Sequence, residues 1–366
     1  MNRLERLKAF LSEQNYEAII LCKPSNIAAF FKGAQISLGF RQEPAGRAAI
    51  CITRDATILI ANTTEATRIA EDELSWVQGL NVFPFRWDHW NLKNSVSEYL
   101  YSSGLAMVCD DVGIYGVNVG AALEGMYYPL YSEELDSIKE LANVSASVVE
   151  SVAKNISPGM TEAQVAGKIS GQLIASSISP ELVLVAADER ISKFRHCIPK
   201  HAEIRQLALL SVTVHRRGLF VSLSRLVSHG AVNSEWRQLQ ETCCRVDARA
   251  IYLSTPGASV GEIFESIKGS YNNEGHPNEW HAHHQGGPAG FSGRDYKAME
   301  NEKRCLVKNQ PVVWNPTIQG TKSEDTILTT QPDKQPDILT DTGNWEYYYA
   351  PIGSGSVIRR PAILVK

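Results

Sequence analysis

The sequence has seven cysteines but no Cys-x-x-Cys pair. An odd number of scattered thiols argues against a disulfide framework, and the missing pair argues against a structural zinc knuckle. No apolar run reaches the roughly 18 residues that a membrane helix needs. A net charge of −4 is not the basic excess that nucleic-acid-binding proteins show. We therefore expect a cytoplasmic, soluble protein with neither nucleic acid nor a membrane as a partner.

Sequence motifs for nucleotide binding and for serine hydrolysis are missing as well. The chain contains no P-loop and no Gly-x-Gly-x-x-Gly fingerprint, so we expect no nucleotide cofactor. The stretch AGFSGRD is not a nucleophile elbow, because its second glycine directly follows Ser292.

The chain length and the hydrophobic pattern predict two domains. With 366 residues, the chain is too long for one ordinary core. Its first third alternates helical patterns, as over 2–14 and 64–77, with short apolar runs such as EAIILC (17–22) and GLAMVCDD (104–111). This alternation indicates an α/β domain, which we place at residues 1–130.

The remaining residues, 131–366, have a different pattern. Helical periodicity covers 132–156, 233–254 and 259–271, and Thr161 with Gln164 has the spacing of an N-terminal capping box. The stretch 207–227 has the pattern of two strands joined by a turn, and the chain beyond about residue 280 is rich in strands and turns. We therefore expect an α+β domain in which paired helices cover an antiparallel sheet.

Residues 279–296 read EWHAHHQGGPAGFSGRDY and contain three closely spaced histidines. On a strand, His281 and His283 would share one face and His284 would lie on the other. A zinc ion would need further ligands from elsewhere in the chain. The pattern alone is compatible with a metal site, with a metal-free catalytic pocket and with a histidine-rich loop that carries no chemistry.

The order of the segments resembles the pita-bread family of creatinase, prolidase, aminopeptidase P and methionine aminopeptidase. RLERLKAFLSEQNYEAIILCKPSNIAAFFKG is similar to the opening of that family's N-terminal domain, and PGMTEAQVAGKI to its P-G-x-T-E helix. The resemblance implies an α/β N-terminal domain followed by an α+β pita-bread (creatinase/aminopeptidase-like) domain.

The resemblance also implies a site for two metal ions, held by two aspartates, one histidine and two glutamates. Those five positions hold, in chain order, Ser211, Ser222, His284, Asn315 and Glu324. One imidazole and one carboxylate would compensate little of the charge of two dications, and serine and asparagine are poor ligands. We therefore expect no dinuclear metal centre, while a single metal held by His281 or His283 with His284 and Glu324 stays open.

Creatinase provides a metal-free precedent within the family, and the resemblance transfers its working histidine to His196 in FRHCIPKH. Creatinase's Y-Y-G-R-E segment is similar to FSGRD in this chain, which contains Arg294. We assign His196 as the general acid/base, because the ordinary pKa of histidine is close to neutrality. His284 would be a second proton-transfer group or hydrogen-bond donor, and Glu324 would orient an imidazole or bind a cationic substrate group.

The remaining positions would bind the substrate. Ser211, Ser222 and Asn315 would offer neutral hydrogen bonds, and Ser222 is also a candidate nucleophile if a histidine base lies next to it. Arg225 and Arg294 would make the pocket positive, which predicts a small-molecule substrate with a carboxylate. The alternative is that both arginines pair with acidic neighbours such as Asp295 or Asp325.

The resulting hypothesis is a metal-independent hydrolase, or a related acid/base enzyme, that acts on a C–N bond of a small amino-acid-like or dipeptide-like molecule. A non-catalytic pita-bread binding module and a residual Xaa-Pro metallopeptidase are the alternatives. The resemblance further implies a homodimer, with Arg41 and Arg47 as candidates for reaching the site of the second subunit.

Overall fold

A computed structural model describes residues 2–40, 47–89, 91–353 and 355–366. The chain divides into two compact units, Met1–Tyr128 and Pro129–Lys366. In the described parts of the chain, no helix combines the length and the apolar character that crossing a membrane requires.

The first unit is an α/β unit built on one mixed sheet. Its helices are α1 (Arg3–Glu13), α2 (Pro24–Phe30), α3 (Ala66–Arg68), α4 (Leu92–Ser102) and α5 (Gly120–Tyr127). Its strands are β1 (Ala18–Leu21), β2 (Ala48–Thr53), β3 (Thr57–Asn62), β4 (Leu80–Phe85), β5 (Val108–Asp110) and β6 (Val117–Asn118). The strand order is β4-β3-β2-β1-β5-β6. Apolar residues of the sheet and of α4, among them Ile20, Ile60 and Val96, form a core.

The second unit is α+β and contains the longest helices. They are α6 (Ser132–Lys154), α7 (Glu162–Ala175), α8 (Glu189–Lys193), α9 (Ser234–Leu253) and α10 (Val260–Asn273). Its first strands are β7 (Ser179–Ala187), β8 (Leu207–Arg216), β9 (Leu219–Ser228), β10 (Gly286–Pro288), β11 (Pro311–Trp314) and β12 (Thr317–Ile318). They are followed by β13 (Thr321–Lys322), β14 (Asp325–Leu328), β15 (Asp337–Ile338), β16 (Tyr347–Pro351), β17 (Val357–Pro361) and β18 (Ile363–Val365).

Two four-stranded sheets organise this second unit. Their strand orders are β18-β9-β8-β7 and β10-β11-β14-β15. They meet where the Ser224 N–H donates to the carbonyl of Glu324 at 3.0 Å and the Ser222 N–H donates to Oγ1 of Thr326 at 2.9 Å. The middle of β9 is therefore held against the chain that enters β14, and this junction carries the candidate site.

Local sequence signals account for the hairpin of β8 and β9. Arg216 pairs with Leu219, which leaves a two-residue loop of Arg217 and Gly218. Both loop residues have positive φ, at 50° and 77°. Such loops match the twist of the flanking strands, and glycine reaches this backbone region without strain.

The predicted architecture, an α/β domain followed by an α+β domain, is confirmed. The capping box is present, since Thr161 Oγ1 accepts from the Gln164 N–H at 3.2 Å and the Thr161 N–H donates to the Gln164 side chain at 2.9 Å. The single helix predicted over 64–77 is wrong, because α3 gives way to a π-helical turn over Ile69–Glu73.

Candidate functional site

The candidate site lies along a row of residues that crosses neighbouring strands of the second unit. The Asn315 N–H donates to the carbonyl of Gln285 at 3.2 Å, and the register of β11 and β14 continues to place Asn315 opposite Glu324. On its other side, the carbonyl of Glu324 accepts from Ser224, which pairs with Ser211 across β9 and β8. The sheet junction thus brings together positions that lie more than a hundred residues apart in the chain.

The carboxylate of Glu324 is the centre of this row. It is buried, and its Oε2 lies 2.7 Å from Ser224 Oγ, 3.2 Å from Ser211 Oγ and 2.8 Å from Lys322 Nζ. Its Oε1 accepts from Nη2 of Arg294 at 3.2 Å. Burial opposes ionisation, but the charges of Lys322 and Arg294 outweigh it and lower the pKa of Glu324 to about 2. This carboxylate is therefore ionised at neutral pH.

Each of the two cations lies between Glu324 and one serine. Lys322 Nζ donates to Ser211 Oγ at 3.1 Å, and Arg294 Nη1 lies 3.5 Å from Ser222 Oγ. One carboxylate shared by the ammonium of Lys322 and the guanidinium of Arg294 leaves this cluster with a net charge of about +1.

A pair of imidazoles lies close to this cluster, since the charges of Lys322 and Glu324 act on both. Nε2 of His196 is 3.0 Å from Nε2 of His283, and Nδ1 of His283 is 2.6 Å from the carbonyl oxygen of His284. A carbonyl can only accept, so the proton of neutral His283 is on Nδ1 and its Nε2 accepts from His196. Nδ1 of His196 then carries a lone pair, and the His196 side chain is exposed to solvent.

Burial and the nearby cations keep these histidines neutral. Burial, with Lys322 and His196 adding to it, lowers the pKa of His283 to about 4. Burial and then Arg294 lower the pKa of His284 to about 3. The pKa of His196 is also lowered, first by partial desolvation of its ring and then by Lys322. Neutral imidazoles can accept protons, which a general base must do.

Several polar atoms of the pocket are buried without a hydrogen-bond partner in the described structure. They are Nδ1 of His284, Oδ1 of Asn315 and Nε of Arg294. Buried polar atoms nearly always have a hydrogen-bond partner. The unused hydrogen-bonding capacity of these three groups therefore favours a polar ligand or ordered water here.

Arg225 is a correction to the predicted substrate-binding set. Its side chain is 1% exposed, and it donates to Glu150 Oε1 at 3.0 Å, to Asp325 Oδ1 at 3.0 Å and to the carbonyl of Thr340 at 2.7 Å. These bonds agree with the alternative prediction, in which Arg225 pairs with an acidic neighbour such as Asp325. Arg225 therefore has a structural role, and Arg294 is the arginine that lies beside Glu324.

Ser222 lacks the arrangement of a nucleophile. Its Oγ contacts Thr213 Oγ1 at 2.9 Å and Arg294, and among the described contacts of Ser222 there is none with a histidine that would serve as its base. Ser211 does contact a lysine, but Lys322 also forms an ion pair with the ionised Glu324 and is not free to serve as a base. The geometry leaves both serines as hydrogen-bonding groups.

The histidine-rich stretch does not form the strand that would place His281 and His283 on one face. Glu279–His281 is a 3₁₀ turn, and the exposed ring of His281 stacks on Trp280 with centroids 3.6 Å apart. Across the residues that the structure describes, no three His, Cys, Asp or Glu side chains are grouped as a metal site. His281 thus contacts Trp280, whereas His283 and His284 lie near enough to Glu324 for its charge to act on them.

Two residues of the site, Lys322 and Ser224, were not among those predicted from the sequence. Side chains two positions apart on an extended chain share a face, so the alternation of Lys322 and Glu324 could have indicated their pairing. Ser224 follows Ser222 by the same rule. Arg41, which the family resemblance suggested for the second subunit's site, lies outside the described residues, and Arg47 is a half-buried residue directly before β2.

Comparison with known proteins gives consistent results. Residues 136–331 match metallopeptidase family M24. The chain is 20% identical over 343 residues to the Xaa-Pro dipeptidase of Pyrococcus furiosus, covering 90% of this chain and 95% of that protein.

Solved structures share the fold at low identity. The Xaa-Pro dipeptidase from Bacillus anthracis superposes with a TM-score of 0.76 at 13% identity, over 100% of this chain and 99% of that one. The N-terminal domain of the FACT complex subunit SPT16 from chickpea gives a TM-score of 0.66 at 11% identity, over 94% and 97%. The fold is thus common to proteins named as peptidases and to one named as a subunit of a complex.

Proposed function

The chain belongs to metallopeptidase family M24, and we propose that it is a hydrolase of this family that works without a metal ion. We propose a C–N bond of a small amino-acid-like or dipeptide-like molecule as its target. The relative from Pyrococcus furiosus is named an Xaa-Pro dipeptidase, which supports this class of substrate. The observation that carries the proposal is the 3.0 Å contact between the exposed His196 and His283, beside Lys322, whose charge acts on both imidazoles.

The metal ion that the family name implies does not suit the residues of this pocket. Ser211, Ser222 and Asn315 are neutral, and both oxygens of Glu324 are bonded to cations. Hard divalent cations prefer several anionic oxygen ligands, and Glu324 alone does not provide them. The mechanism is therefore built from side chains.

His196 is the proposed general base. Its Nε2–H donates to His283, so Nδ1 can take a proton from water while the water oxygen attacks the carbonyl carbon of the scissile bond. The resulting imidazolium passes that proton to the leaving nitrogen as the C–N bond breaks. The products are a carboxylic acid and an amine, and His196 returns to its neutral form.

The buried cations supply the positive charge in this mechanism. Negative charge develops on the carbonyl oxygen during attack, and fixed donors in a water-poor site stabilise such an oxyanion. Lys322 and Arg294 are the cations available, and Nε of Arg294 has no partner among the described groups. The net positive charge of the cluster also supports a substrate that carries a carboxylate, as an amino acid or a dipeptide does.

A substrate screen on the metal-free protein tests the proposal. The full chain is treated with a chelator and incubated with Xaa-Pro dipeptides, N-acyl amino acids and guanidino acids, each as the acid and as the matched amide. We expect release of a free amine from at least one acid, with the amides as poorer substrates. Turnover that appears only after addition of Mn²⁺ or Co²⁺ would contradict the proposal.

The two alternatives have distinct outcomes in the same screen. The names of the relatives fit a metal-dependent Xaa-Pro peptidase equally well, and that reading requires the metal-activated result. The structural likeness to the SPT16 domain favours a binding module, for which the screen would show saturable ligand binding without turnover.

A further inference from the structure

We propose that Lys322 and Arg294 are resident cations, which occupy the places of divalent metal ions in this site and exclude them. The proposal concerns which cations the site holds. It goes beyond the proposed reaction, and its test does not depend on any turnover.

The geometry places one side-chain cation on each oxygen of Glu324. Nζ of Lys322 bridges Oε2 of Glu324, at 2.8 Å, and Oγ of Ser211, at 3.1 Å. The guanidinium of Arg294 bridges Oε1 of Glu324, at 3.2 Å, and Oγ of Ser222, at 3.5 Å. A metal ion that used Glu324 as a ligand would have to displace one of these cations.

Displacement is opposed because neither cation can move easily into water. The side chain of Lys322 is 7% exposed and that of Arg294 is 11% exposed. Arg294 is also held by the carbonyl of Gly293 at 2.5 Å. A guanidinium does not deprotonate in proteins, so raising the pH does not remove this positive charge.

Electrostatics strengthens the exclusion. The cluster already has a net charge of about +1, and a dication placed next to it would meet repulsion that burial makes stronger than in water. The site therefore differs from a metal centre in two ways. Anionic ligands are missing at positions 211, 222 and 315, and fixed positive charges lie where the metal-bound charge would be.

This second difference makes a counterintuitive prediction. Ser222→Asp alone returns a carboxylate, but the new carboxylate would form an ion pair with Arg294 and keep the guanidinium in the site. Only when Arg294 is removed as well would the carboxylates at 222 and 324 be free for a metal ion.

The test compares metal binding by full-length variants. Binding of Mn²⁺ is measured by titration calorimetry and that of Co²⁺ by its visible absorption, for the wild type, S222D, S222D/R294A and the control S222N/R294A. The control removes Arg294 and keeps position 222 neutral. We expect S222D/R294A to bind at least about tenfold more tightly than the other three, a difference of about 1.4 kcal/mol.

Each other result overturns the proposal. Equal binding by S222D and S222D/R294A would show that Arg294 does not compete with metal. Stoichiometric binding by the wild type, or no gain in a folded S222D/R294A, would show that Arg294 does not occupy a metal position. Circular dichroism establishes whether each variant folds. If S222D/R294A does not fold, the same comparison is made at Lys322, with S211D/K322Q as the test variant and S211N/K322Q as its control.

Discussion

Nε2 of His196 lies 3.0 Å from Nε2 of His283, although 87 residues separate the two histidines in the chain. His283 is buried enough to remain neutral, whereas His196 is exposed to solvent. The half-buried ring of His283 therefore fixes the proton of the exposed ring on Nε2 and leaves Nδ1 of His196 available to substrate and water. This relationship supports the proposed role of His196 in proton transfer.

Replacing His196 by alanine should reduce kcat by about 10²–10⁴, because general acid–base catalysis contributes factors of that size. The variant should keep its stability, since the side chain is exposed. His281→Ala is the matched control, because His281 is exposed and contacts Trp280 outside the pocket. Steady-state kinetics on a substrate from the screen measures both, and unchanged turnover by H196A would refute its role.

Glu324→Gln should strongly destabilise the protein. The change leaves Lys322 and Arg294 buried without their anion, and breaking a buried ion pair in this way costs about 3–5 kcal/mol. Glu140→Gln is the control, because Glu140 is 64% exposed where it pairs with Arg216 and such surface pairs contribute less than about 1 kcal/mol. Urea unfolding measures both free energies, and equal losses in the two variants would argue against a charge-balanced core at Glu324.

Stability should fall as the pH is lowered from about 6.5 towards 4. The pKa values of His283 and His284 are about 4 and about 3 in the folded protein and near the ordinary 6.5 when unfolded, so in this window the unfolded chain binds more protons. Each histidine contributes at most about 1.4 kcal/mol per pH unit. The pKa of Glu324, about 2 in the folded protein, adds a further loss only below its ordinary value of 4.5.

Urea unfolding at about pH 7, 6, 5 and 4 measures this dependence. In His284→Gln the slope between pH 6.5 and 4 should be shallower than in the wild type, because one of the histidines with a lowered pKa is gone. A slope that does not change in this variant would show that His284 is not held neutral by burial and Arg294.

Arg225 and Arg294 should respond differently to substitution by lysine. Arg225→Lys should lower the free energy of unfolding and leave KM unchanged, since Arg225 is bonded to the buried groups Glu150 and Asp325. Arg294→Lys should raise KM for an acidic substrate more than for its amide, because lysine lacks the planar pair of donors. Steady-state kinetics and urea unfolding separate the two effects. An increase in KM for Arg225→Lys would show that Arg225 binds the substrate after all.

Much of the fold follows from local signals in the sequence. The capping residues Thr161 and Gln164 and the two-residue loop at Arg217 and Gly218 between β8 and β9 act between near neighbours in the chain. Their effects are therefore visible in the order of residues. The resemblance to a known family supplied the order of the domains and indicated that Ser211, Ser222 and Asn315 stand where metal ligands were expected.

The content of the site was decided by tertiary structure. Nothing in the spacing of His196 and His283 predicts their contact. The family resemblance did not indicate that Lys322 and Arg294 would share one carboxylate. Arg225 is next to Ser224 in sequence, yet packing of the two sheets buries it among acids. Sequence determines which charges exist, whereas the meeting of the sheets determines which are desolvated together, and desolvation sets the pKa values and ion pairs on which the chemistry depends.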